Sequence, residues 1–211
     1  MRDEIGSYIR SLSDFTPPCG FFNPYKSPEA VGNLTLFLSR PKYTRTLLLV
    51  GEAPGYRGGS VTGVPLCSSA ILITDWKDPW RRFGPDSGFK VPKLARFSRE
   101  ATATMVWQAL AELFFDWPCP LTWNAVPFEP HGCRADSNGS LKPNQIEIGR
   151  QWLEQIIQLF PESTPVAVGQ RAADALLELG VEYYAVRHPS RGGKQAFMEG
   201  LANLKKRLSL A

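Results

Sequence analysis

Three short stretches of the chain carry residue types that can do chemistry. Gly51-Glu52-Ala53-Pro54-Gly55, followed by Gly58, Gly59 and Gly63, is a glycine-rich loop holding one carboxylate. Asn124 stands near the end of an otherwise apolar run, and His188 opens His188-Pro189-Ser190-Arg191-Gly192-Gly193. Glycines let the backbone turn tightly and let a ligand approach the main chain. A side-chain amide donates and accepts at once, which suits the edge of a nucleobase. The proline after His188 biases it to extended backbone and away from a helix, and an imidazole near neutrality can donate a hydrogen bond or carry a proton. Each feature also has a plain structural reading. The glycines would form an ordinary strand-to-helix turn, Glu52 would cap a helix, Asn124 would satisfy nearby backbone, and His188 would be incidental.

The elements that must position these residues follow from the apolar pattern. Thr46 to Val50 is a short β-favouring run ending at Gly51, as expected of a strand buried on both faces of a parallel sheet. Leu121 to Val126, Pro165 to Val168 and Tyr183 to Val186 read as three further strands. Between and after them, helices are predicted over Arg99–Phe115, from an Asn144 cap with Glu147 as its box partner, over Gln170–Leu179 closed by Gly180, and over Phe197–Leu208. A short amphipathic helix (Ile5, Tyr8, Ile9, Leu12) and a second one near Pro28–Leu38 precede the first strand. Strand and helix alternate, which implies an α/β sandwich on a parallel sheet. The three chemical loops then lie at carboxyl ends of strands, on the edge where such sheets bind ligands. One domain spanning 1–211 is expected, with no repeat and no linker.

Composition narrows the function classes. The chain has 211 residues and a net charge of +4. Between Trp76 and Arg99, seven cations (Lys77, Arg81, Arg82, Lys90, Lys93, Arg96, Arg99) face two carboxylates, so the rest of the chain is slightly acidic. Trp76, Trp80, Phe83 and Phe89 are interleaved with them. Two readings stay open: a surface for a polyanion with stacking bases, or a loop whose aromatics anchor it to the core. No run is long enough to span a bilayer and the N-terminus lacks a signal-peptide core, so a cytoplasmic protein with no membrane partner is expected. Cys19, Cys67, Cys119 and Cys133 form no close pair, which argues against zinc or a disulfide framework. No Walker loop, GxGxxG turn or Ser-His-Asp order is present. His131, in a Pro-His-Gly turn, has the weakest case of the candidates.

In this order, the loops resemble the uracil-DNA glycosylase superfamily. Gly51-Glu52-Ala53-Pro54-Gly55 resembles its first motif in the GEAPG form of the thermostable iron–sulfur branch. Thr62-Gly63-Val64-Pro65-Leu66 resembles the pocket segment TGVPF of the single-strand-selective branch. Trp123-Asn124-Ala125-Val126-Pro127 matches the strand end bearing the uracil-reading Asn, and His188-Pro189-Ser190 matches the second catalytic motif. The resemblance implies a three-layer α/β/α sandwich with a four-stranded parallel sheet, and hydrolysis of the N-glycosidic bond of uracil or a related deaminated base in DNA. By that resemblance His188 and Glu52 are catalytic. Gly51, Ala53, Pro54, Gly55, Tyr56, Leu66 and Asn124 bind the base. Arg57, Pro189, Ser190, Arg191 and Gly192 touch DNA, with Arg191 the candidate wedge. The partner is damaged DNA, acted on by a monomer with no cofactor and no metal.

The chain departs from the pattern in four places. Ala53 stands where one branch has a water-positioning Asp and others an Asn. Leu66 replaces the aromatic that stacks on uracil, so another ring has to serve, with Tyr56 the candidate, or binding is weaker. Arg191-Gly192-Gly193 follows Ser190 in place of the usual proline. The cysteine pairs that hold the iron–sulfur cluster are absent, so no cluster is expected. Two other functions stay open: a catalytically silent DNA-binding or damage-sensing protein, and a nucleotide-handling α/β enzyme whose glycine loop cradles phosphate.

Overall fold

The computed structural model describes residues 2–40, 45–74, 76, 78–92, 97–131 and 141–209. The chain opens with helix α1 (Arg2–Asp14), a short strand β1 (Phe21–Phe22), a single 3-10 turn (Pro24–Lys26) and helix α2 (Pro28–Ser39). Asn23 organises this entry. Its Nδ2 donates to the Leu12 and Phe15 carbonyls, both at 2.8 Å, and its Oδ1 accepts the Tyr25 N–H at 2.9 Å. Ser27 then caps α2.

Strand β2 (Leu47–Gly51) is buried along its whole length, as an apolar run in mid-sheet must be. After the glycine loop come two short helices, α3 (Gly59–Thr62) and α4 (Ser69–Ile73), and then the longer α5 (Ala101–Leu113). Strand β3 (Leu121–Asn124) and the short β4 (Glu129–Pro130) follow. A 3-10 segment (Pro143–Gly149) leads into α6 (Arg150–Leu159). Strand β5 (Thr164–Val168), α7 (Gln170–Glu178), β6 (Tyr184–Val186) and α8 (Lys194–Ser209) complete the chain.

The main sheet has the order β3-β2-β5-β6, all parallel. Its register sets Gly51 directly beside Asn124, so two of the chemical stretches meet at adjacent strand ends. Helices cover both faces. On one, α1 packs with α2 and α6, fastened by Tyr8 Oη donating to the Trp152 carbonyl (3.0 Å) and Trp152 Nε1 donating to Ser11 Oγ (3.1 Å). On the other, α5 packs against α8. Among the described residues no helix is long and apolar enough to cross a membrane.

The structure corrects one sequence reading and decides between two others. Asn144 does not cap α6; it lies inside the 3-10 segment, where the Lys142 N–H donates to Gln145 Oε1 at 2.8 Å. The aromatics of the basic stretch are core anchors rather than free stacking platforms. Phe83 and Phe89 are buried, Phe83 meets Trp107 edge-on at 4.9 Å, and Trp80 Nε1 donates to the Trp117 carbonyl at 2.9 Å. Arg82 is buried too, stacked over Phe37 at 4.2 Å and donating to Cys119 Sγ at 3.1 Å. Lys77, Lys93 and Arg96 lie outside the described residues. The ribbon of β1 with β4 (Phe21↔Pro130) carried no sequence signal, because two-residue strands leave no periodicity to read.

Candidate functional site

The glycine loop after β2, the turn after β5 and the His188 loop after β6 converge on one cavity of about 580 Å³. Glu52, Ala53, Pro54 and Gly55 form one side, and His188, Ser190 and Arg191 another. Leu66, Cys67 and Glu100 close it from the segment leading into α5. These residues are far apart in sequence, and the parallel sheet brings them together at its carboxyl edge.

His188 is held in one orientation. Its Nδ1 lies 2.8 Å from Ser190 Oγ and 3.2 Å from the Ser190 backbone nitrogen. A backbone N–H can only donate, so Nδ1 must accept and the neutral ring carries its proton on Nε2. No described residue bonds Nε2, so that donor is available to a ligand. Burial lowers the His188 pKa below its ordinary 6.5; Glu52 and Glu100 oppose the shift, and Arg187 and Arg191 add to it. Two glycines make room for the loop. A Cβ on Gly169, whose φ is +91°, would meet the His188 Cβ at 3.1 Å, and one on Gly193 would fall on the His188 carbonyl oxygen. Pro189 is buried beneath the turn and Gly192, at φ +76°, lets it close.

Glu52 lies in the wall with Oε1 accepting the Leu141 N–H at 2.8 Å. That bond anchors the carboxylate through one of its two oxygens. Ala53 beside it contributes only a methyl group.

Asn124 is 1% exposed, and neither its Oδ1 nor its Nδ2 has a hydrogen-bond partner among the described residues. It sits one layer behind the cavity wall. A Cβ built on Gly51 would lie 2.9 Å from Asn124 Oδ1 and 2.8 Å from Leu66 Cδ2, so glycine at 51 is what allows the amide and the leucine to close in together. Leu66 itself has φ +51°, unusual for a branched side chain, and is half-buried on the cavity side.

Arg191, also at φ +51°, is exposed at the rim, with Arg187 beside it in the wall. Tyr56 and Arg57 do not line the cavity; the Arg57 guanidinium lies over the Tyr56 ring at 5.1 Å. His131 is exposed and its N–H donates to the Gly20 carbonyl.

Sequence reasoning missed Glu100, Arg171 and Cys67 as wall residues. Glu100 caps α5, accepting the Thr102 and Ala103 N–H groups, and Arg171 pairs with Asp174 at 3.1 Å while donating to the Leu141 carbonyl. A capping glutamate one residue before an apolar run is a signal that could have placed Glu100; nothing local marks the others. Cys19 is exposed, Cys67 buried and Cys119 set against Arg82, while Cys133 lies outside the described residues. Among the described residues no group of three or more His, Cys, Asp or Glu side chains gathers.

No protein-family model and no curated protein sequence matches the chain. Among solved structures, the crystal structure of wild-type Pedobacter heparinus SMUG2 superposes with a TM-score of 0.66 over 99% of each chain, at 16% identity. At that identity the likeness is one of fold. The α/β/α arrangement on a four-stranded parallel sheet is the uracil-DNA glycosylase-like fold expected from the sequence.

Proposed function

We propose that this chain is a DNA N-glycosylase that hydrolyses the N-glycosidic bond of uracil or a related deaminated base, leaving an abasic site. One observation carries the reading most strongly: an imidazole fixed through Nδ1, with an unengaged Nε2, on the same cavity as a fixed carboxylate. When the bond from sugar to base breaks, negative charge gathers on the base oxygen next to that bond and positive charge on the sugar. His188 Nε2–H donates to that oxygen, stabilising the charge as it develops. Glu52 serves the sugar side of the reaction, where a carboxylate stabilises the cationic centre and orients water for attack. Asn124 reads the edge of the base once it has left the stack. The rim cations Arg187 and Arg191 hold backbone phosphates, and Arg191 fills the gap the base leaves. The protein acts as a monomer, without metal or cofactor.

Catalysis requires His188 neutral, since a proton on Nδ1 would face the Ser190 N–H. The lowered pKa keeps it neutral at physiological pH. The kcat/KM profile should therefore rise through an acid limb whose midpoint lies below 6.5, and be flat above it. The same shift means the unfolded chain binds more protons, so the contribution of His188 to stability grows as pH rises through that range. A limb centred above 6.5 would contradict the buried, neutral imidazole.

The function is tested with single- and double-stranded oligonucleotides bearing uracil, hypoxanthine or xanthine, scored for alkali-sensitive abasic sites. Release of uracil or another deaminated base is expected. Salt-dependent binding with no release from any of them would favour a silent damage-binding protein. That second reading draws on Ala53, whose methyl can hold no water.

A further inference from the structure

The buried amide of Asn124 and the leucine in front of it do not fit a cavity that is already open. Asn124 is sealed off, with both polar atoms unpartnered among the described residues, while Leu66, close beside it across Gly51, is a half-buried part of the cavity wall. Buried polar side chains nearly always have a partner, so an amide left without one by the protein itself points to a ligand as that partner. The cavity lining includes Leu66 and does not include Asn124.

We propose that Leu66 is a gate. In the closed state its side chain covers the Asn124 amide, and it must rotate aside before the lactam edge of an extruded base can reach that amide. This rests on the glycosylase reading for the identity of the occupant, but not for the existence of the gate.

The backbone around Leu66 is fixed, which confines the motion to the side chain. Trp107 Nε1 donates to the Leu66 carbonyl at 3.0 Å, and Thr122 Oγ1 donates to the Pro65 carbonyl at 2.7 Å. Thr62 Oγ1 accepts the Val64 N–H at 3.2 Å, closing the turn just before. With both carbonyls tied to neighbouring elements the segment cannot swing as a loop, whereas a half-exposed leucine changes rotamer readily. The large cavity beside it has room for the displaced methyls.

The gate makes Leu66 a specificity residue. A base that offers a donor and an acceptor to the amide gains both hydrogen bonds on displacing the leucine; one that offers neither leaves it closed. The binding-competent state is a minor one, so apparent affinity is reduced by its population.

Two measurements on the full chain test this. The first needs no substrate: exchange of the Asn124 Nδ2 protons with water, followed by NMR. In the wild type these protons should exchange slowly, and in Leu66→Ala about tenfold or more faster, with Leu66→Met in between as a variant that keeps most of the packing. Equal rates in the wild type and both variants would overturn the gate. The second is titration with free uracil. Leu66→Ala should bind it about tenfold tighter than the wild type, by removing the population penalty, and adding Asn124→Ala should cancel that gain. Accelerated exchange with no change in uracil binding would uphold the gate and instead overturn the base assigned to it.

Discussion

Replacing His188 by alanine is expected to slow base release about 100- to 1,000-fold in single-turnover assays, the range seen when one preorganised donor to a developing anion is removed. The loss should appear in kcat and kcat/KM alike, because Nε2–H matters as charge builds and little before. Ser190→Ala should cost far less, roughly tenfold: the Ser190 backbone N–H still reaches Nδ1 at 3.2 Å and still fixes the tautomer. His188→Gln offers a donor of different reach and should recover only part of the activity. If His188→Ala released base at the wild-type rate, the imidazole would have no part in the chemistry.

Asn124 should separate activity from stability. Losing a paired donor and acceptor to a base edge is worth about 1–3 kcal/mol, so Asn124→Ala should reduce kcat/KM on a uracil substrate roughly 10- to 100-fold. Removing a buried polar group usually destabilises a protein, because its partners are left bare. Here neither polar atom has a partner among the described residues, and burying such a group unpaired costs about 1–3 kcal/mol. Asn124→Leu, close to it in shape, should therefore melt at the same temperature as the wild type or higher while losing activity. Differential scanning calorimetry beside the kinetic assay checks both. A destabilised Asn124→Leu would mean that the amide supports the fold rather than serving a ligand.

The central sheet was legible in the sequence because its strands are short, apolar and bounded by Gly or Pro. Leu47–Gly51 is buried on both faces, and such a run has few alternatives in an alternating α/β chain. The His188 loop was legible for a similar reason: a histidine between a strand and a proline is biased to extended backbone. Asn124 was visible by type and position, but its place behind Leu66 was not. That depth comes from strand register, which sets Asn124 beside Gly51, and from the positive φ at Leu66. Neither is encoded in a local pattern. The aromatic cluster around Trp107 was ambiguous because period and composition do not reveal which way a loop tryptophan points. The rings against Trp107, those of Trp76, Trp80 and Phe83, all come from the loop before α5, and only packing brings them onto it. The cap of α6 was misread because Pro143 starts a 3-10 turn at the position where Asn144 seemed to begin a helix.

The most direct test is an NMR spectrum of the protein bound to an oligonucleotide carrying 2′-fluoro-2′-deoxyuridine, whose glycosidic bond resists cleavage. The His188 Nε2–H and Asn124 Nδ2 signals should both shift on binding, and neither should shift with the matching oligonucleotide in which thymidine replaces that nucleotide. Movement of only one of them, or of neither while the oligonucleotide is demonstrably bound, would mean that the imidazole and the amide do not serve the same extruded base.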